Sequence, residues 1–204
     1  MKVTSHSEYL NLHSVYIKSV QSAFISKIQI NEQWQELNYL NQPDFDMALQ
    51  EYKLFEWILN DAKIELKYFP VNEKVKIDSI YCRDASIATD FGMIICNMGK
   101  EGRIHEPQSH LEEYKLNNIP ILGIIEAPGT LEGGDVAWLD EKTLAVGYTY
   151  RTNEAGISQL KSLLEPKDIE VIVVELPHYK GKKDVFHLMS IFSPVDKDLA
   201  VVFS

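Results

Sequence analysis

Residues 126–156, EAPGTLEGGDVAWLDEKTLAVGYTYRTNEAG, pack two carboxylates (Glu132 and Asp135), two adjacent glycines, two strand-like runs and a charged exit at Arg151. Gly133 and Gly134 allow either a positive φ or a close approach that a side chain would block. Residues 136–139 and 143–148 flank the polar turn Asp140-Glu141-Lys142 and predict a β-hairpin. Alone, the stretch reads equally as a glycine turn feeding a hairpin and as a hairpin with a site at its entrance. Its neighbours favour the second reading.

Outward from the hairpin, Asn153 opens a helix in which Ile157, Leu160 and Leu164 recur at helical spacing. Residues 169–176 follow as a strand. Upstream the same order occurs. Residues 77–89 predict a strand, Asp90-Phe91-Gly92 a turn and residues 93–97 the return strand. A polar stretch (99–107), a helix containing Leu111, Tyr114 and Leu116, and a strand over 119–125 complete that unit. Downstream, residues 186–192 and 199–203 predict two strands around a turn at 193–198. A hairpin–helix–strand unit thus recurs with a period of roughly 50 residues, the pattern of a repeat or propeller-like array.

The N-terminal part is less regular. Residues 12–20 predict a strand, while 23–39, with Trp34 and Leu37, fit a short helix or a loop. Pro43 and Asp44 announce a helix, and Phe45, Ala48, Leu49, Tyr52 and Phe55 carry its period to about residue 59. Ile64, Leu66 and Tyr68 then alternate as a strand. Residues 1–204 are read as one α/β domain.

Composition narrows the function. The chain has 204 residues, 45% hydrophobic and 25% charged, an ordinary balance for a globular protein. No apolar run approaches the ~20 residues of a membrane helix, and MKVTSHSEYL lacks the apolar core of a secretory signal. Neither a membrane partner nor an export route is expected. A formal charge of −10 argues against nucleic-acid binding and is compatible with a cationic small molecule. Cys82 and Cys96 fit no zinc or disulfide framework, so a cytoplasmic location is expected. Gly133-Gly134 is not followed by the Gly-Lys-Ser/Thr of a phosphate loop, and acids on both sides would repel phosphate.

The repeat also aligns chemistry. Its first strand carries Asp78, Arg83 and Asp84 in one unit, Glu132 and Asp135 in the next, and His187 in the third. Each has an ordinary structural reading when taken alone. Their equivalent positions would bring them together near the axis of a radial array, where acids are costly to bury without a partner or a function.

The segments DSIYCRDASIAT (78–89), GRIHE (102–106), TLEGGDV (130–136), YRTNEAG (150–156) and VFHLMS (185–190) resemble, in order, those of the guanidine-modifying pentein superfamily. That superfamily contains dimethylarginine dimethylaminohydrolases, arginine deiminases and amidinotransferases. SEYLNLHSVYI (7–17) agrees more loosely. The resemblance implies an α/β-propeller of five ββαβ modules, incomplete and open at the C-terminus here, with the site in its central channel. It implies His187 as general acid/base, Asp84 as the acid beside the histidine or on the guanidinium, and Glu132 as a holder of guanidinium N–H groups. Asp78 and Asp135 would bind substrate, and Arg103 and Arg151 would take a substrate carboxylate. No metal and no cofactor are implied. A metal set from Glu132, Asp135, His105 and His187 is disfavoured, with His105 read as a loop residue.

Two departures stand out. Where the deiminase branch has an acid two residues after the histidine, this chain has Met189. The family's nucleophilic cysteine, which attacks the guanidinium carbon near the end of the fifth module, has no counterpart, because no cysteine follows Cys96. Cys82, read on a strand face shared with Asp84, is the nearest substitute, and Cys96 reads as a small buried hydrophobe. The function expected is therefore a dimethylargininase-like amidinohydrolase of Cys-His mechanism lacking its nucleophile, acting on arginine or a methylated arginine. The alternatives are a non-catalytic guanidine-binding module and an inactive truncated product. An exposed edge strand ending at Phe203 would invite homo-oligomerisation.

Overall fold

The computed structural model describes residues 3–177 and 186–203. Its strands form four small sheets arranged as successive units. Strand β1 (Ser14–Ile17) is followed by helices α1 (Val20–Phe24), α2 (Lys27–Gln33) and α3 (Phe45–Asp61), then by β2 (Glu65–Tyr68), which pairs with β1 in parallel. The second unit is β3 (Ser86–Thr89), β4 (Gly92–Ile95), α4 (Glu106–Leu116) and β5 (Ile121–Ile124). The third is β6 (Val136–Asp140), β7 (Thr143–Tyr148), α5 (Glu154–Leu164) and β8 (Glu170–Glu175). In both, the first pair is antiparallel and the last strand joins in parallel across the helix. A short helix α6 (Leu188–Ile191) then leads into the antiparallel hairpin β9 (Phe192–Asp196) and β10 (Leu199–Val202).

Local chemistry fixes the helices. Asp44 and Asn153 cap α3 and α5, accepting from Met47 N at 2.7 Å and Gly156 N at 2.8 Å, which satisfies amides the first turn leaves open. Ile157, Leu160 and Leu164 are buried as the spacing requires. They pack with Trp138, Leu144, Val146 and Ile94 in the main core. Burying each such aliphatic side chain contributes about 1.5–3 kcal/mol. In α4, Leu111 and Tyr114 are buried whereas Leu116 faces solvent.

Three sequence expectations are corrected. Residues 77–89 are not one strand: two 3₁₀ turns (Ile77–Ile80 and Cys82–Ala85) precede the four-residue β3. Asp78 and Asp84 are both buried, and the turns let their carboxylates meet Lys100 and Arg103. Of residues 186–192 only Phe192 is in a strand: Leu188–Ile191 form a short helix, whose first amide, Leu188 N, donates to the Asp135 carboxylate at 3.1 Å. The turn expected at 193–198 narrows to Lys197-Asp198. A fourth sheet, β1–β2, joins the three units legible in the sequence.

The N-terminal segment clasps two units. Ser5 N donates to Asp90 Oδ1 at 2.6 Å. His6 is stacked on Trp138 at 3.8 Å between the carbonyl of Glu141 and the amide of Asp90. Glu8 accepts two bonds from Arg83, at 2.8 and 3.1 Å, and one from the amide of Trp138. No helix among the described residues is long and apolar enough to cross a membrane.

Candidate active site

The entrance to β6 is the centre of the site. Leu131 bridges to Asn97 of the preceding unit through Leu131 N and Asn97 O at 2.8 Å, which sets Glu132 between the two units. The next three residues, Gly133–Asp135, make a 3₁₀ turn. Neither glycine has a positive φ, so close approach is the reason for both. A Cβ on Gly133 would lie 2.1 Å from the carbonyl oxygen of Arg83. One on Gly134 would lie 2.5 Å from Asp84 Oδ1 and 2.7 Å from the ring of His187. The glycines therefore let the turn carrying Asp84 and the imidazole of His187 close over the Glu132 turn.

Three carboxylates surround that imidazole. Asp84 Oδ1 is 3.7 Å and Glu132 Oε2 3.4 Å from Nε2, while Asp135 Oδ1 is 3.3 Å from Nδ1. The line from Nδ1 to Asp135 is too oblique for a formed hydrogen bond. Burial works to lower the pKa of His187, but the Asp135 contact and the charges of Asp84, Asp135 and Glu132 outweigh it, and the net shift is upward. The raised folded-state pKa lies above the ordinary value of about 6.5, so these contacts stabilise the fold fully below that pH. The contribution is lost as pH rises through the raised value. The stability difference between wild type and His187→Ala is therefore expected to be larger near about pH 5.5 than near about pH 9 in urea unfolding. Equal differences at the two pH values would contradict this electrostatic setting.

Each acid has its own support. Glu132, with no solvent exposure, accepts from the amides of Gly99 and Lys100 at 3.0 Å through Oε1 and meets Arg151 Nη1 at 3.1 Å through Oε2. Its own amide donates to Thr152 Oγ1 at 3.1 Å. The Arg151 side chain keeps 20% exposure, so it borders the site with donors to spare. Asp84 binds Arg103 Nη1 through Oδ2 at 2.5 Å. Asp78 binds Lys100 Nζ, also at 2.5 Å.

Two of the expected ligand-binding residues are held by contacts within the protein. Arg103 is only 3% exposed, and its fork is engaged by Asp84, by both oxygens of Glu106 at 2.8 and 2.7 Å, and by the carbonyl of Tyr81. Its guanidinium thus ties Asp84 to Glu106 behind the site. Asp135, fully buried, accepts from Thr149 and Thr152 hydroxyls at 2.9 and 2.6 Å and from Leu188 N. It faces Nδ1 of His187, the ring nitrogen away from Asp84 and Glu132. Asp84, Glu132 and His187 come together as expected, with Arg151 at their edge, while Asp78 stands one lysine side chain away.

Sequence reasoning missed Glu106, Lys100, Thr149 and Thr152. Glu106 ended a segment already singled out, and its spacing of three from Arg103 on an incipient helix was the available signal. The two threonines flank Arg151 within YTYRTN. Nothing in the sequence marked Lys100. Cys82, expected on a strand facing the site, lies instead in a 3₁₀ turn, packed on a cluster that contains Phe69 and Tyr114. Burial pushes its thiol up to about 12, against the pull of Lys18. Cys96 is buried in the main core, and its pKa is raised well above the ordinary value, first by burial. Val185, part of the singled-out VFHLMS, lies outside the described residues.

One ligand atom each from Asp84, Glu132 and His187 falls within 4.8 Å of the others, close enough for one metal ion. His105 instead stands at the start of α4, without a side-chain capping bond. Arg103 already shares the Asp84 carboxylate and Arg151 that of Glu132. Surface hollows of about 430 Å³ beside Thr4 and Asp90, and of about 470 Å³ beside Lys142 and Asp168, contain none of these acids.

Residues 22–204 match the family described as "N,N dimethylarginine dimethylhydrolase, eukaryotic", and the chain belongs to that family, within the pentein superfamily. Among curated relatives, the N(G),N(G)-dimethylarginine dimethylaminohydrolase of Pseudomonas aeruginosa is 28% identical over 139 residues, covering 68% of this chain and 54% of that protein. The arginine deiminase of Listeria monocytogenes is 24% identical over 220 residues, covering 94% of this chain and 53% of that one. A crystal structure of a dimethylarginine dimethylaminohydrolase adduct superimposes with a TM-score of 0.74 at 23% identity, covering 94% of this chain and 68% of the other. A mutant of the Pseudomonas aeruginosa enzyme complexed with citrulline gives 0.71 at 24%, covering 91% and 67%. The fold is thus that of these domains, and the chain spans about half the length of the curated relatives it matches.

Proposed function

We propose that this chain forms the guanidine-recognising and proton-transfer part of a dimethylargininase-type C–N hydrolase acting on arginine or a methylated arginine. The observation that carries the reading is the convergence of Glu132 and Asp84 on Nε2 of His187, with Asp135 behind Nδ1. A guanidinium presents a planar fork of donors, and carboxylates accept such forks in pairs. Glu132 and Asp84 would hold it beside the imidazole, and Arg151, partly exposed, would receive a substrate carboxylate. A thiolate would form a bond to the guanidinium carbon, and the C–N bond would break as His187 passes its proton to the departing amine. Water, losing a proton to the same imidazole, would then release the thiol and leave a urea group. The fold is read as a five-module propeller of which these residues supply two full modules and two partial ones. The free thiols of Cys82 and Cys96 suit the cytoplasm.

Neither thiol suits the attack. Both are displaced toward the neutral form, first by burial, and both are packed into hydrophobic clusters. This favours, as a second reading for these 204 residues alone, a guanidine-binding module without turnover. Alkylation of either cysteine is expected to leave guanidine binding unchanged. A Cys82 that reacts faster than a free thiol and is protected by arginine analogues would overturn that expectation. Release of citrulline and dimethylamine from dimethylarginine separates the readings, assayed with these residues alone and with a C-terminal extension carrying a cysteine. Turnover only in the extended form is expected, and none in either would reject the hydrolase.

A further inference from the structure

Lys100 touches two acids of the site at once. Its backbone amide donates to Glu132 Oε1 at 3.0 Å, and its ammonium binds Asp78 Oδ2 at 2.5 Å and the carbonyl of Leu37 at 2.8 Å. The preceding Gly99 holds this loop against Arg151: a Cβ there would lie 2.5 Å from Cα of Arg151. The loop is thus pinned to the Glu132–Arg151 pair at its backbone while its side chain reaches across to Asp78. The ion pair is sheltered, with Lys100 18% and Asp78 5% exposed at the side chain. A sheltered pair is screened far less than a surface one.

We propose that Lys100 is a specificity-determining residue, a built-in cation that fills the Asp78 carboxylate and so removes any advantage to a guanidine carrying a second positive charge. The inference rests on the guanidine reading of the Glu132 pocket. The gap between Glu132 and Asp78 is spanned by one lysine side chain. A ligand with a guanidinium and an ammonium joined by a short aliphatic chain has a comparable separation of charges. With its guanidinium on Glu132, such a ligand would bring its ammonium to the place the Lys100 ammonium already occupies. A ligand ending in a carboxylate without an ammonium loses nothing there and retains Arg151.

The test compares L-arginine with 5-guanidinopentanoate, the same chain with the guanidinium and carboxylate but without the ammonium, by calorimetric titration of the full chain. Wild type is expected to bind the two with similar affinity. Lys100→Met, which frees Asp78, is expected to favour arginine by about tenfold, the scale of one charge-assisted contact. Lys100→Arg keeps the internal cation and should retain the wild-type ratio. If Lys100→Met does not fold, Lys100→Gln, which preserves a hydrogen bond without the charge, should shift the ratio in the same direction. A ratio unchanged in the charge-removing variant, with both ligands still binding, overturns the role of Lys100 and leaves the pocket standing. Failure of wild type and variants to bind either ligand overturns the pocket and this inference with it.

Discussion

Arg103→Ala is expected to cost about 3–5 kcal/mol of stability, the range found when one partner of a buried ion pair is removed and the other charge is stranded. Arg103 is held among Asp84, Glu106 and the Tyr81 carbonyl with almost no access to water. Burial already pushes the Glu106 carboxyl up, to about 7, against the lowering pull of Arg103. Without the guanidinium that carboxyl would be driven toward its neutral form, and Asp84 would lose the contact that orients it. Since whole domains are stable by only about 5–15 kcal/mol, much of the folded population is at stake. Urea unfolding of wild type and variant checks this. A loss below about 1 kcal/mol would return Arg103 to the role of an available carboxylate ligand, as in a surface pair.

The largest effect on ligand binding is expected at Glu132. Glu132→Gln keeps the shape and some hydrogen bonding, but it removes the charge that faces the guanidinium. Losing one side of a desolvated charged contact costs about 2–5 kcal/mol, or roughly 30-fold to several thousand-fold in affinity. The amides of Gly99 and Lys100 can still donate to the Gln carbonyl, so the loop should stay in place. Affinity should therefore fall much further than the melting temperature. Calorimetric titration with dimethylarginine, alongside a thermal melt, separates the two effects. Parallel small losses in both would mark Glu132 as a structural acid.

The parts of the fold legible in the sequence were those governed by period and punctuation. The 126–156 hairpin, the α5 face of Ile157, Leu160 and Leu164, and the Asp44 and Asn153 caps are all in place. Residues 77–89 misled because the two 3₁₀ turns at Ile77–Ile80 and Cys82–Ala85 run straight into β3 without a glycine or proline to mark the change. Cys82 was misplaced for the same reason. At the site, the convergence of Asp84, Glu132 and His187 followed from their equivalent places in a repeat. The division of labour among the charges did not, because it depends on pairings between units. Arg103 turns inward because Glu106 stands one helical turn away and Asp84 closes over it. Asp135 faces the histidine because Thr149 and Thr152 hold its other oxygen. Side-chain partners brought together from separate units leave no periodic trace in the chain.

A calorimetric titration of the 204-residue chain with N(G),N(G)-dimethyl-L-arginine is the most direct test of a guanidinium pocket at Glu132, Asp84 and His187. Saturable binding with one site per chain, weakened roughly 30-fold or more by Glu132→Gln in a variant that still melts cooperatively, is the expected result. No heat at millimolar ligand from a folded chain, or binding that Glu132→Gln leaves intact, would contradict it.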